Sequence, residues 1–378
     1  MVGQEILEVL YSPVKAFKKI IEKPDFKAII LILILSVAAT FVAQYVLASK
    51  LSIESRLPQN DDWTESLTNQ HLWVSNGVLS LDDGDYKLGN EDGNHSLVCS
   101  VNDASQIHMT LTGLNSDVSE QTQYREFFFW IKWTNENNLS PTSATIKLLS
   151  GSETSYFESD ITDLLAEDGI WTNITLTISS SLEWTSNNAP DWGKITGIDI
   201  TLDWESSANS TIKIDGLFFR EFVTPTETED FAALAPSIIL QLVLDFAMNW
   251  ILWAGIVILV AKLFNEELGQ WSKSFVVLGY SFIATVVYTS IQVLPLSVLP
   301  MLTVPLELNA LNVAIASTWS PLFAYQLWVY IPIIGQIWIA GLSAVAIRVM
   351  NDIPWNRAAI IASVAFGLRL VLNLYLRI

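Results

Sequence analysis

Two sets of residues have the types and spacing for chemistry. In the run YREFFFWIKW, read as a strand, Phe127, Phe129, Ile131 and Trp133 point one way, while Tyr124, Glu126, Phe128, Trp130 and Lys132 point the other. The second of these faces mixes rings with charges. An aromatic platform edged by polar groups holds flat sugar rings by stacking and a few hydrogen bonds. The bland alternative is that a loop or the membrane-proximal surface covers this face.

The other set is polar residues inside apolar helical windows. Asp245 has Gln241 and Asn249 four residues to either side, and Arg369 has Asn373 four residues on, so each group shares one helical side. An ionised side chain deep in a bilayer costs about 2.5 to 3.5 kcal/mol, so both charges call for partners. The expectation is a buried Asp245–Arg369 ion pair, joined by Gln241, Asn249 and Asn373, that fixes the packing of two helices. A proton or ion path through the same residues is the functional alternative.

Other chemistries find little support. Nothing resembling a nucleophile motif, a phosphate loop or a catalytic carboxylate pair stands out from the acidic background, and a non-enzyme is expected. The three histidines, His71, His95 and His108, are scattered without zinc spacing, so no metal site is expected from them. Cys99 is the single cysteine and has no partner for an internal disulfide.

The elements that must position these residues follow from how charge is distributed. The 378 residues are 51% hydrophobic yet carry a formal charge of −19. Residues 50 to 230 hold 30 acids against 9 bases, and the rest holds 9 acids against 11 bases. A surface this acidic repels phosphate, which argues against nucleic acid as a partner. It suits a solvated exterior, and with one cysteine it fits an archaeal envelope.

Five apolar stretches read as membrane spans, making the lipid bilayer a partner. They are Ala28 to Ala48, then roughly Ser237 to Leu263, Phe275 to Leu296, Leu322 to Ala346, and Ala358 to Leu376. A cleavable signal peptide is the competing reading of the first, because Leu47, Ala48 and Ser49 end it in small residues. The stretch punctuated by Pro295, Pro300, Pro305 and Pro321 reads as interfacial or re-entrant.

Basic residues set the orientation. Lys15, Lys18, Lys19, Lys23 and Lys27 precede the first span, Lys262 and Lys273 bracket the loop after the second, and Arg348 and Arg357 bracket the loop after the fourth. Five spans put all of these on the cytoplasmic side of a plasma membrane, with the carboxyl terminus and the acidic block outside. Trp271 and Trp355 then stand at the cytoplasmic interface. On this topology Asp245 lies about 12 Å and Arg369 about 10 Å from the outer face.

Four segments result: a cytoplasmic amphipathic stretch 1–27, span 1 at 28–48, an extracytoplasmic domain 49–230, and spans 2 to 5 at 231–378. In the first, Ile6, Leu7, Leu10, Val14, Phe17, Ile20 and Ile21 recur near helical spacing. It either lies along the inner leaflet or packs on the ends of the bundle.

The acidic block alternates with period two. Ile107, Met109 and Leu111 oppose Gln106, His108, Thr110 and Thr112; Ile170, Ile174, Leu176 and Ile178 oppose Asn173, Thr175, Thr177 and Ser179; Ile195, Ile198, Ile200 and Leu202 oppose Asp199, Thr201 and Asp203. One dry and one wet face predict antiparallel sheets packed as a sandwich. Four N-x-S/T glycosylation sequons, at Asn94, Asn138, Asn173 and Asn209, all fall here.

Two resemblances extend this reading. The ending from Trp192, WGKITGIDITLDWESSANSTIKIDGLFF, resembles jelly rolls of the carbohydrate-binding-module type. That resemblance implies that Asp215, on the closing strand, braces a loop or a structural calcium. The stretch LYSPVKAFKKIIEKPDFKAIILILI, with Ser12, Pro13, Ala16, Phe17, Ile20 and Pro24, and the later pair Gly279 and Tyr280 resemble the prokaryotic type of the Yip (Ypt/Rab-interacting) membrane-domain family. This implies a cytoplasmic amino terminus and five spans. The departure is a first loop of about 180 residues where the family has a short one, and with only about 27 residues before the first span, GTPase binding is not carried over.

The expectation is therefore a five-span α-helical bundle with an antiparallel β-sandwich (jelly roll) inserted between spans 1 and 2. Such a protein binds surface glycan or another envelope component; the alternative is a transporter or channel-like bundle capped by the β domain.

Overall fold

The structure is a computed structural model. It describes residues 2–67, 72–87, 93–119, 124–179, 182–227, 229–266, 268, 270–306 and 310–376, with the side chains of 2, 229, 230 and 373–376 left out. His71 lies outside these residues. The chain divides into two compact units, one comprising 1–52, 224–302 and 312–378, the other 53–223 and 303–311.

The first unit is helical. It contains α1 (Val2–Tyr11), α2 (Pro13–Glu22), α3 (Phe26–Ala48), α4 (Glu229–Leu263), α5 (Trp271–Gly279), α6 (Ile283–Ser297), α7 (Ala310–Ala314), α8 (Phe323–Asn351) and α9 (Trp355–Leu376). A 3₁₀ turn, Tyr280–Phe282, joins α5 to α6, giving one helical rod. Among the described residues, five helices are long and apolar enough to cross a membrane: 26–48, 231–263, 271–297, 323–351 and 355–372. Among the described residues the proline-punctuated stretch holds no further helix of membrane-crossing length; a five-residue π turn, Ile315–Trp319, extends α7.

The amino-terminal segment forms α1 and α2, whose apolar residues pack within the helical unit. Ile6, Val9, Ala16, Phe17 and Ile20 are buried in one cluster with Ile29, Val277, Tyr280 and Ile347. Leu7 differs, being 57% exposed. Pro13 starts α2, where its missing N–H costs nothing. Glu8, buried on α1, bonds Lys19 of α2 at 2.7 Å and ties the two helices together.

Polar pins join the long helices. Trp253 is fully buried, and its indole N–H donates to Ser343 Oγ at 3.0 Å, while Ser343 Oγ lies 3.1 Å from Ser281 Oγ. Trp271 and Trp355 each begin a helix and are largely exposed, and the Arg348 guanidinium lies 4.3 Å from the Trp355 ring.

The second unit is β-rich. Its strands are β1 (Leu51–Leu57), β2 (Leu72–Ser75), β3 (Val78–Asp82), β4 (Ser96–Ser116), β5 (Glu126–Asn135), β6 (Ser143–Ser152), β7 (Ser155–Asp160), β8 (Thr172–Thr177), β9 (Thr185–Asn187), β10 (Ile195–Val223) and β11 (Leu302–Val304). The pairings among β1 to β10 are antiparallel. Two long strands, β4 and β10, run through both layers, and the register shifts between Asp203 and Ser210 mark where they cross. One layer runs β2, β4, β10, β6, β7, β9; the other gathers β3, β4, β10, β5 and β8, with β1 on the last part of β10.

The core between the layers matches the period-two pattern. Ile107, Met109, Leu111, Phe127, Phe129, Ile198, Ile200, Leu202, Ile212 and Ile214 are each fully buried. Ile170 departs from it at 50% exposure, because the strand begins only at Thr172 and Gly169 turns the chain just before.

Gly335 of α8 sits against the Tyr288 ring of α6: a Cβ there would meet ring atoms at 2.0 to 2.6 Å, whereas one at Gly341 of the same helix would meet nothing within 4 Å. Gly335→Ala is expected to destabilise the purified chain by about 1–3 kcal/mol through overpacking. Gly341→Ala is expected to hold or raise stability by up to about 1 kcal/mol through helix propensity. Thermal unfolding in detergent, followed by circular dichroism, reads both.

Candidate functional sites

The sequence singled out the outward face of β5, and the structure covers much of it. Phe128 is 5% exposed and packs with Phe218 and Trp130. The Arg220 guanidinium lies 3.8 Å from the Phe128 ring centre and donates from Nε to Glu126 at 2.9 Å. Lys132 bonds Asp85 at 2.9 Å, and Asp85 also accepts from Lys213 Nζ and the Trp171 indole, each at 2.8 Å. Lys213 pairs with Asp82 as well. The Lys87 ammonium stands 5.2 Å from the Trp130 ring. Residues 82–87 thus form a charged cover on this face. The hydrogen bond from Lys213 does most to hold the Asp85 carboxyl below the usual range; burial opposes it, and the Trp171 and Lys132 bonds add to the lowering. Tyr124, half-buried, precedes the strand.

Asp215 belongs to a second cluster. Oxygens of Asp61, Glu65 and Asp215 lie within 4.8 Å of one another, with Asp61 1% and Asp215 0% exposed. Asp61 accepts from the Gly216 N–H at 2.9 Å and the Thr64 N–H at 3.3 Å, and from the Thr64 hydroxyl. Asp215 accepts from the Lys87 N–H. Glu65 accepts from the His95 N–H at 2.8 Å and meets its ring Nδ1 at 2.9 Å. These three carboxylates are the residues that would hold a divalent cation, and an all-oxygen set suits calcium. The sequence reading had Asp215 alone. Asp61 and Glu65 precede it by the length of the domain, and only folding brings them together.

The third region is a cavity of about 360 Å³ inside the helical unit. Asp245, Asn249 and Arg369 line it, and Asp245 is exposed there; Gln241, also exposed, does not line it. The expected Asp245–Arg369 ion pair does not form. Arg369 Nη2 donates instead to Asn249 Oδ1 at 2.8 Å, and Asn249 Nδ2 donates to the Asp245 carbonyl at 2.8 Å. The Asn373 side chain lies outside the described residues. Sequence reasoning missed Ser36, Thr40 and Gln44 on α3, Thr285 and Tyr288 on α6, and Gln336 on α8. The signal was legible for α3, since 36, 40 and 44 are spaced to share one helical face.

The sequons are all exposed: Asn94, Asn138, Asn173 and Asn209. Asn209 Nδ2 already donates to Glu136 at 2.7 Å, and Asn138 sits in a turn with φ +52°. His108 Nε2 meets Asp199 at 2.5 Å on the outward face of the six-stranded layer.

No family model and no curated protein matches the chain. Among solved structures, an exo-beta-agarase matches at TM-score 0.33 and 13% identity, over 44% of this chain and 25% of its own. A family 30 carbohydrate-binding module matches at TM-score 0.31 and 11% identity over 45% and 99%. A family 11 carbohydrate-binding module from a Clostridium thermocellum cellulase matches at 0.28 and 13% over 45% and 94%. The chain thus spans only a quarter of the agarase, and scores this low carry no argument about function.

Burial raises the Asp61 carboxyl well above its usual value, and the Asp215 charge adds to this, while the Thr64 hydrogen bond opposes it. A carboxyl with a raised folded pKa contributes full stability below its unfolded value and loses it as pH climbs through the folded one. In chelator, the β unit is therefore expected to melt at falling temperature as pH rises above the ordinary carboxylate range. Asp61→Asn should flatten that slope. Near-ultraviolet dichroism melts across pH measure it.

Proposed function

We propose that the chain is a non-enzymatic, multi-pass membrane protein of the Yip-domain type that presents its β-sandwich outside the plasma membrane to bind glycan or another envelope component. The observation that carries this reading is the coincidence of charge and fold. The acid-rich block is the β unit, and the greasy, lysine-flanked remainder supplies five helices of membrane-crossing length. The residues behind the Yip resemblance also act together. Ala16, Phe17 and Ile20 dock α2 on the bundle, and Tyr280 is buried with its hydroxyl 3.4 Å from the Asp25 carbonyl. A Cβ on Gly279 would lie 2.6 Å from Ile29 and 2.9 Å from Trp250.

The glycan surface best supported is the outward face of the six-stranded layer. Register puts Val74, Thr110, Asp199, Lys147 and Glu158 in one row across five strands. His108, Thr201, Thr145 and Asp160 form the row beside it. Hydroxyls, an imidazole and carboxylates held in place by Thr110–Asp199 and Gln106–Asp203 bonds offer fixed partners to sugar hydroxyls. Leu72 and Val74 form an exposed apolar margin. The β5 face contributes less, because the Arg220 guanidinium already occupies the Phe128 ring.

Glycan-array binding by the full chain in detergent tests the surface. Asp199→Ala is expected to weaken binding about tenfold or more, the size of one lost charge-assisted hydrogen bond. Trp130→Phe should leave it nearly unchanged. Added protease should digest the β unit in sealed cells. Protection of that unit, or loss of binding with Trp130→Phe alone, would overturn the assignment.

A further inference from the structure

The cavity in the helical unit has features that packing does not explain. Asp245 and Arg369 carry opposite charges into one space, yet form no ion pair within 4.0 Å, and Arg369 is held to the side by Asn249. The helices that carry them, α4 and α9, pack together, and the long arginine side chain can swing toward the shorter, exposed Asp245, so a direct pair is the simplest arrangement for two charges on membrane-crossing helices. Their separation leaves a cation and an anion facing a common volume. Ser36 adds an independent sign. It is 2% exposed and lines the cavity, and its hydroxyl has no hydrogen-bond partner. Buried hydroxyls are nearly always paired, so this one is placed for a group that enters from outside the chain. Thr40 and Gln44 continue the same face of α3, and Tyr288 and Gln336 line the cavity from α6 and α8.

We propose that this cavity binds a small zwitterion, with a primary ammonium on Asp245 and an oxyanion on Arg369, and with Ser36 bonding the polar linker between them. The volume of about 360 Å³ lies within the range of small-molecule sites and is too large for one or two bridging waters. Ethanolamine phosphate has this chemistry, either as a lipid headgroup or as a free solute. The inference rests on the membrane reading of the five helices, and is separate from the glycan surface.

The test uses the full chain, delipidated in detergent. Glycerophosphoethanolamine is the soluble probe, with glycerophosphate and ethanolamine as single-charge controls, and tryptophan fluorescence and thermal unfolding are the readouts. A saturable rise in melting temperature is expected with the zwitterion and not with either control. Asp245→Asn and Arg369→Gln should each weaken it about tenfold or more, and Ser36→Ala by a few fold. Ser36→Ala exchanges small helix residues, so it keeps the test informative should a charge variant fail to fold. In a parallel arm, nanodiscs of phosphatidylethanolamine and of phosphatidylcholine are compared. Stabilisation by the first that the same variants remove, without a response to the soluble probe, assigns the ligand to lipid. A response to the soluble probe assigns it to free solute. No variant-sensitive response in either arm, or equal responses to the single-charge controls, overturns the proposal. Extraction of the chain from membranes by alkaline carbonate without detergent would instead sink the membrane reading.

Discussion

A buried peptide group must find a hydrogen-bond partner, and this chain meets that requirement in two ways. In the apolar segments each helix satisfies its own backbone, which is what lets 23 residues such as Phe26–Ala48 remain greasy along their length. In the acidic segments the partner is another strand, so one face of every strand can be wet. The alternation of Ile198, Ile200 and Leu202 with Asp199, Thr201 and Asp203 is the visible result. The segregation of charge along the chain follows from these two solutions.

Within the β unit, β4 and β10 do most of the organising. Each pairs with neighbours in both layers, so one continuous strand carries inward residues for two sheets. Asp215 lies on the second half of β10, where Gly216, at φ +64° in the register shift after Asp215, directs its N–H onto Asp61. The same stretch holds Lys213 and Arg220, which anchor residues 82–87 and the β5 face. One strand therefore links the carboxylate cluster to the covered aromatic face.

In the helical unit, polar residues fall into two kinds. Some are fully satisfied pins, such as Trp253 with Ser343 and Trp250 with the Phe275 carbonyl. Others surround a cavity and leave capacity unused, as Ser36 does. The first kind fixes helix packing; the second is where an added molecule finds partners.

Much of this was legible in the residues themselves. Hydrophobic length and period decide element type, because a backbone in apolar surroundings has few ways to bond, and so the five long helices and the inward sets on β4, β5 and β10 could be read directly. The spacing of Ser36, Thr40 and Gln44 was there to be read as well. Tertiary structure alone decided what faces each polar residue. Phe128 lost its open face to Arg220 and Phe218, while Trp130 and Lys132 met Lys87 and Asp85, which come from a distant segment. Asp61 found Asp215 across the length of the domain, and Arg369 turned to Asn249 in place of Asp245. Local pattern reports which side of an element is wet or dry, but a hydrogen bond between distant segments depends on where two backbones meet to within a few tenths of an ångström, and only the folded chain sets that distance.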